Sequence, residues 1–458
     1  MFVNPVCIGL SLGTGTIRTF ALTCIVVLRG WSRLASRGLI RAASIRETSL
    51  PAAGVSWRRT GPTGASGSKE PAMIDATFIA PTPQAIGLDP QALERLYAYV
   101  ADEATATGLP GAQIAIGRRG RLAAVRSFGF AVQGGQTLPV TDDTLFCLYS
   151  ATKGVVAAAI WALIEDGQLR IEERVAAVIP EFAGLEKDAI TVEQVLLHIS
   201  GFPDAPMHPR LWERREARLE RIVGWRLNWE PGSRFEYHST SAHWMLAEVI
   251  TRKTGLDFRD YVRQRITARM GVPDLFVGLP DEQHHRAADV MYLEGVGRTP
   301  EGGWNETNYD TNLHFNLPSQ RRAGTPGAGG FAGAGELALF YQRLVSPEES
   351  GEYAALTPVT IEYATKVRTL AHHVDGTKGL PVNRALSVVV AGDHPAERGF
   401  GEHASLRAFG HGGAGGQIAW GDPETGLSVG FCTNAFVTPA RIRERTKRIG
   451  TLAVECLV

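Results

Sequence analysis

The sequence carries no net charge, no long apolar run near its N-terminus and no paired cysteine motif, and each absence removes a class of function. Basic and acidic residues are equal at 47 each, so no overall field draws the chain to nucleic acid or to an anionic membrane, and neither partner is expected. In the N-terminal region the longest apolar stretch, residues 20–28, is well short of the ~20 residues a membrane helix needs. No membrane span is expected. Cys7, Cys24, Cys147, Cys432 and Cys456 are odd in number and widely spaced. Without a Cys-x-x-Cys pair they suggest neither zinc nor redox work, and a reducing compartment fits them best. Cys147 and Cys432 sit inside apolar runs and read as buried, inert thiols. The adjacent pairs His284-His285 and His372-His373 lack metal-ligand spacing, so no metal is expected.

What is present is the composition of a globular chain: 458 residues, 44% hydrophobic and 21% charged, enough to bury a sizeable core. The charge balance hides an asymmetry. Residues 1–72 hold nine basic residues against Glu47 and Glu70, a net +7, which leaves the remainder at −7. This leader is Arg-rich and acid-poor, like an organelle transit peptide, and Arg18 before the apolar stretch faintly resembles an export signal without an A-x-A site. Segment 61–68 is rich in Gly and Ser and reads as unstructured. The simplest expectation is that translation starts at Met73, which places a single domain, residues 73–458, in the cytoplasm. A genuine leader would direct it to an organelle or outside the cell.

Beyond Met73, Asp89-Pro90 is an N-cap followed by proline, and Leu93, Leu96, Tyr97 and Val100 follow at helical spacing. Residues 113–117 and 122–128 read as strands joined by the turn Arg118-Arg119-Gly120. From Ser150 to about Ser350 the patterns are helix and loop, including 155–165, 191–197 and 241–252; strands return near 386–391, 417–420 and 427–433. Strands at both ends around a helical middle predict an α/β chain of the α+β kind: one antiparallel sheet built from distant segments, flanked by helices, with a mainly helical region inserted. A cleft between the two parts is the expected site for a small molecule.

Within Phe146-Cys147-Leu148-Tyr149-Ser150-Ala151-Thr152-Lys153-Gly154, a Ser-x-x-Lys opens a long apolar helix. Residues three apart share a helix face, so the Lys153 amine can reach the Ser150 hydroxyl, and the first-turn N–H groups favour a developing anion. Serine is a poor nucleophile without a base, and a lysine serves as one only if its surroundings depress a pKa of ~10.4. Burial of Lys153 is therefore required. With 20 serines and 7 lysines, chance would supply roughly 0.3 Ser-x-x-Lys matches. There are two. The other, Ser66-Gly67-Ser68-Lys69, lies in the leader and reads as accidental.

A second constellation is Pro231-Gly232-Ser233-Arg234-Phe235-Glu236-Tyr237-His238-Ser239, a turn and an aromatic segment before the helix 241–252. Here the chain resembles the serine β-lactamase-like superfamily: class C β-lactamases, D-alanyl-D-alanine peptidases and related carboxylesterases. The resemblance covers about residues 85–450. It also rests on Gly129-Phe130-Ala131, Glu165-Asp166-Gly167-Gln168-Leu169, and the Leu196-Leu197-His198-Ile199-Ser200-Gly201 segment, in matching order and spacing. It implies that Tyr237 occupies the tyrosine of the family's Tyr-x-Asn motif and relays protons with Lys153, while Ser239 replaces the asparagine and loses its paired amide donor and acceptor.

For the family's third motif, Lys253-Thr254-Gly255 matches literally, but it ends an apolar helix and reads as a helix stop with Gly255 as its cap. Gly410-His411-Gly412-Gly413-Ala414, ahead of strand, turn and strand, is the better match and puts His411 in place of lysine. The same glycines satisfy G-x-G-x-x-G, yet no helix follows them, which excludes a dinucleotide fingerprint. His198 and the glycine-rich stretch 329–337 read as structural. By the resemblance, Ser150 and Ala414 supply the oxyanion N–H groups, Ser239, His411, Gly412 and Gly413 line the substrate, and no cofactor is used. The chemistry expected is an acyl-enzyme on Ser150. A small ester or related amide is preferred over a lactam, because histidine is largely neutral near pH 7 where lysine is a fixed cation. The alternatives are a class C-like β-lactamase or D-amino-acid peptidase, and an inactive binding protein of the same fold. Specificity is assigned to the loops 203–228 and 279–320, and the oligomeric state is left open.

Overall fold

The computed structural model describes residues 74–105, 108–293, 312–376 and 379–458; the leader, Met73, Cys7 and Cys24 lie outside the described residues. Pro90 starts helix α1 (Pro90–Thr105), whose buried face is Leu93, Leu96, Tyr97 and Val100. The chain then enters β1 (Gly111–Arg118), β2 (Arg121–Gln133) and β3 (Gln136–Pro139). The helical middle includes α2 (Thr152–Glu165) and α3 (Ser241–Thr254). After α4 (Ala334–Val345) come β4 (Val389–Val390), β5 (Phe409–Gly412), β6 (Ile418–Asp422), β7 (Leu427–Thr433) and α5 (Pro439–Val454).

One seven-stranded sheet results, in the order β4-β5-β6-β7-β1-β2-β3, antiparallel at each pairing. Strands far apart in sequence meet at its centre, where Ala112 pairs with Thr433 and Ile116 with Val429. Side chains alternate across the sheet. Ile114, Ile116, Val429 and Phe431 face α1 and α5; Ala115, Ala419 and Cys432 face the larger core containing α2 and α4. Helix α4 lies so close that a Cβ at Gly430 would be 2.2 Å from the Ala334 carbonyl oxygen. A glycine is needed at that contact.

Two local departures from the sequence pattern have physical causes, and the helix stop expected at Gly255 is present. The strand expected over 386–391 shrinks to Val389–Val390 because Ser387 adopts φ +64° and the backbone turns there, Arg384 bridging Val389. The helix expected over 191–197 is Val192–Leu196, with Thr191 outside it as the cap of a full capping box with Gln194. Lys253-Thr254-Gly255 is a helix end: Gly255 caps α3 at φ +74° and Lys253 Nζ donates to Glu173 at 2.7 Å. Cys147, Cys432 and Cys456 are buried and unpaired, and burial pushes the Cys147 thiol up to about 12. No helix among the described residues is long and apolar enough to cross a membrane.

Candidate active site

A small sheet aims the chain at Ser150. Gly330–Ala332 pairs with Phe146–Cys147 and with Phe276–Val277, and Leu148 N–H donates to Gly330 O at 2.9 Å. The chain turns at Tyr149, whose φ of +46° lies in the left-handed region. A side chain there costs ~1–3 kcal/mol and persists only where surroundings enforce it. The enforcement is visible: the Tyr149 ring packs edge-on against Phe315 at 5.3 Å and Phe436 at 5.1 Å, and its hydroxyl donates to Asn312 O at 2.9 Å. A single 3-10 turn, Tyr149–Ala151, then feeds α2, which is buried from Thr152 to Leu163.

That burial takes Lys153 with it. The side chain is 0% exposed, and its Nζ lies 3.1 Å from Ser150 Oγ, 2.8 Å from Ser239 O and 2.7 Å from Gly327 O. Two carbonyl oxygens can only accept, so they claim two N–H groups and leave the third tetrahedral direction of the nitrogen aimed at Ser150 Oγ. The close approach depends on Gly327, where a Cβ would sit 3.1 Å from Nζ and 3.2 Å from His243 Cβ. Burial lowers the Lys153 pKa, as does the Arg384 charge, against a raising influence from Tyr237. Tyr237 OH is 2.9 Å from Ser150 Oγ. Burial would raise the phenol, but the Lys153 and Arg384 cations and the contact with Ser150 outweigh it, and its pKa is lowered.

The structure thus brings Ser150, Lys153 and Tyr237 together at hydrogen-bond distance. Ser239 joins them differently from the amide it replaces: its backbone carbonyl holds Lys153, while its side chain is exposed on the cavity wall. In the loop after β5, Gly413 N–H donates to Gln417 O at 2.7 Å, Gly415 N–H to Gln417 Oε1 at 3.1 Å and Gly416 N–H to Gly413 O at 3.0 Å. Among the described residues the Ala414 N–H has no partner, and Ala414 and Ser150 line the same cavity. Gly412 and Gly413 line a different cavity, with Ile442 and Thr446 of α5. His411 is 5% exposed. Its Nδ1 is 2.8 Å from Gly412 O and its Nε2 3.1 Å from Arg384 Nη1, and burial, then Arg384 and Lys153, hold it well below the usual histidine range. It is neutral.

The cavity in front of Ser150 has a volume of about 670 Å³ and is walled by Met207, Leu211, Trp212 and Phe315, from the two loops assigned to specificity. His198, at φ +59°, is buried; its Nδ1 accepts from the His238 N–H at 3.2 Å and its ring lies 4.9 Å from that of Tyr237. It backs the tyrosine. No group of three or more metal-ligating side chains occurs among the described residues. Sequence reasoning missed two participants, Gly327 and Arg384. Gly327 sits just ahead of the glycine-rich stretch read as structural, and a carbonyl ligand leaves no side-chain signature. Arg384 belongs to no motif and is one of many arginines.

The Beta-lactamase family model matches residues 96–453. The chain is 25% identical over 360 residues to the N-acetylmuramyl-L-alanine amidase of Bacillus subtilis (strain 168), covering 73% of this chain and 79% of that one. It is 25% identical over 343 residues to the esterase/beta-lactamase LipL of Mycobacterium tuberculosis, covering 70% and 76%. Among solved structures, a penicillin-binding protein homolog from Caulobacter crescentus superposes with a TM-score of 0.67 at 27% identity, over 83% of this chain and 99% of that one. A family VIII carboxylesterase superposes with a TM-score of 0.68 at 22% identity, over 81% and 98%, and supports the fold. A family match across most of the chain, together with an antiparallel sheet and helices shared with those structures, shows that this protein belongs to the Beta-lactamase family of hydrolases.

Proposed function

We propose that the chain is a serine hydrolase that forms an acyl-enzyme on Ser150 and acts on small carboxylic esters or related amides. The observation that carries this reading is the fully buried Lys153 amine, 3.1 Å from Ser150 Oγ and otherwise bonded to two carbonyls. Such an amine, once it has shed its third proton, points a lone pair at the serine hydroxyl. The phenol of Tyr237 at 2.9 Å is the second proton station, and the Lys153–Tyr237 pair titrates as a unit that loses one proton as pH rises.

In the reaction, Ser150 Oγ attacks the substrate carbonyl carbon while its proton passes to the pair, and the C=O π electrons move onto the oxygen. The N–H groups of Ser150 and Ala414 receive that oxyanion, each such donor being worth roughly 3 kcal/mol. Collapse breaks the bond to the leaving alcohol or amine, which takes the proton from the pair. Water then repeats the sequence on the acyl-enzyme and frees the acid. The apolar wall of Met207, Leu211, Trp212 and Phe315 suits an uncharged acyl group. A neutral His411 offers a lactam carboxylate no charge of its own, which favours esters and amides over lactams.

Two measurements test the reading. A fluorophosphonate probe should modify Ser150 and leave Ser150→Ala unmodified; no adduct on the parent protein would refute acyl-enzyme chemistry and leave a binding protein. Comparison of a short p-nitrophenyl ester with nitrocefin ranks the substrates: the ester should turn over faster, and faster nitrocefin turnover would reverse that preference.

A further inference from the structure

We infer that Arg384 is a positioning residue of this site: a permanent buried cation, seated behind the His411 imidazole, that acts on Ser150 through the Tyr237 ring. The inference rests on the acyl-enzyme reading and deepens it. Arg384 is 9% exposed, and among the described residues no carboxylate lies within ion-pair distance of its guanidinium, an unusual state for a buried charge. Its contacts are instead to Tyr237, Phe235 and His411. The guanidinium carbon lies 5.2 Å from the Tyr237 ring centroid and 5.9 Å from that of Phe235, and Nη1 lies 3.1 Å from His411 Nε2.

The bonding directions settle the proton on His411. Gly412 O accepts, so Nδ1 carries the hydrogen at 2.8 Å; arginine only donates, so Nε2 presents its lone pair to Nη1. His411 is thereby locked neutral, and its ring lies 6.0 Å from that of Tyr237. The fixed positive charge at this corner of the site therefore belongs to Arg384, a residue outside every motif that the sequence displays. A guanidinium stays charged where an imidazole would not.

The groups facing Tyr237 are Lys153 from α2, with its Nζ 5.1 Å from the ring, His198, His411 and Arg384. Those that bear electrostatically on Arg384 are Tyr237, Arg398 and Asp375, and His243 faces both Lys153 and His411. The histidines are buried and neutral, so Lys153 and Arg384 are the cations beside the phenol. A cation there favours loss of the shared proton from the Lys153–Tyr237 pair, both by stabilising a phenolate and by repelling a second ammonium charge.

The test reads the second-order rate of fluorophosphonate labelling at Ser150 against pH. Removing the charge with Arg384→Gln, or with Arg384→Met if the first variant does not fold, should move the acid limb to higher pH by about one unit or more. The rate should return toward that of the parent above the new limb. Arg384→Lys, which keeps a charge, should leave the limb near the parent position, as should His411→Gln, which keeps Arg384. Labelling depressed equally at all pH values in the charge-removing variants, or a limb displaced as far by Arg384→Lys or His411→Gln, would overturn the inference. A parent protein that never labels at Ser150 would instead refute the acyl-enzyme reading, so the two failures are distinct.

Discussion

Tyr237→Phe is the most informative single change because it deletes one oxygen and leaves the ring in place. The ring packs against His198 at 4.9 Å, His411 at 6.0 Å and the Lys153 and Arg384 cations at 5.1 and 5.2 Å, none of which contacts requires the hydroxyl. What is lost is the 2.9 Å bond to Ser150 Oγ. A hydrogen bond that involves an ionised partner contributes ~1.5–3 kcal/mol, or roughly 10- to 150-fold in rate, and a proton station contributes about 10²- to 10⁴-fold. The expected fall in kcat/KM for a p-nitrophenyl ester at neutral pH is therefore about 10²- to 10⁴-fold, with the urea midpoint almost unchanged.

The pH profile of the residual activity carries a further sign. Tyr237 raises the Lys153 pKa, whereas burial and Arg384 lower it. Without the hydroxyl only the lowering influences remain, so the acid limb should move to lower pH, opposite to the shift expected for Arg384→Gln. A loss below tenfold, or a loss explained by unfolding, would show that Lys153 alone moves the proton and that Tyr237 is packing.

Ser239→Ala should cost less than about tenfold in kcat/KM, because the Lys153 contact is to the Ser239 backbone carbonyl and survives the change. Gly430→Ala should destabilise the fold by ~1–3 kcal/mol in urea melts, since its Cβ would lie 2.2 Å from Ala334 O and 2.9 Å from Ala338 N and force α4 off the sheet. Lys153 and Tyr237 both hold their protons less tightly than usual, so the unfolded chain binds more protons between the lowered values and ~10; stability should rise with pH across that window, less steeply in Lys153→Met. With p-nitrophenyl esters, kcat/KM should increase by about fourfold per acyl methylene until the cavity in front of Ser150 is full, each buried methylene being worth ~0.8 kcal/mol.

Much of this arrangement is legible in the sequence because it depends on short-range rules. The hairpin of β1 and β2, the capped helix α1 and the pairing of Ser150 with Lys153 follow from period, caps and three-residue spacing. Gly255 as a helix stop is equally local. The position of Tyr237, 87 residues from Ser150 in sequence, is accessible only through resemblance to a family motif, since nothing in its own neighbourhood announces a partner. Ser239 shows where residue-type reasoning misleads: attention to the lost amide side chain hides the carbonyl, which every residue possesses. The Val389–Val390 strand is shorter than its apolar pattern suggests because a left-handed Ser387 interrupts it, a backbone choice that composition does not encode.

Arg384 marks the boundary of that legibility and changes the meaning of His411. From the sequence alone, histidine in place of lysine reads as the loss of a positive charge. In the folded protein the charge stands one hydrogen bond behind the imidazole, on a residue 27 positions away. Moving a cation from the cleft surface to a buried second position alters what it can touch. A surface ammonium can pair directly with a substrate carboxylate; a guanidinium behind Tyr237 and His411 would, on the proposed mechanism, act on the proton path of Ser150 whatever the substrate carries. The site then retains the electrostatic help that Ser150 needs while giving up a fixed charge in the His411 position, and that division of labour is what a hydrolase of uncharged esters and amides would require.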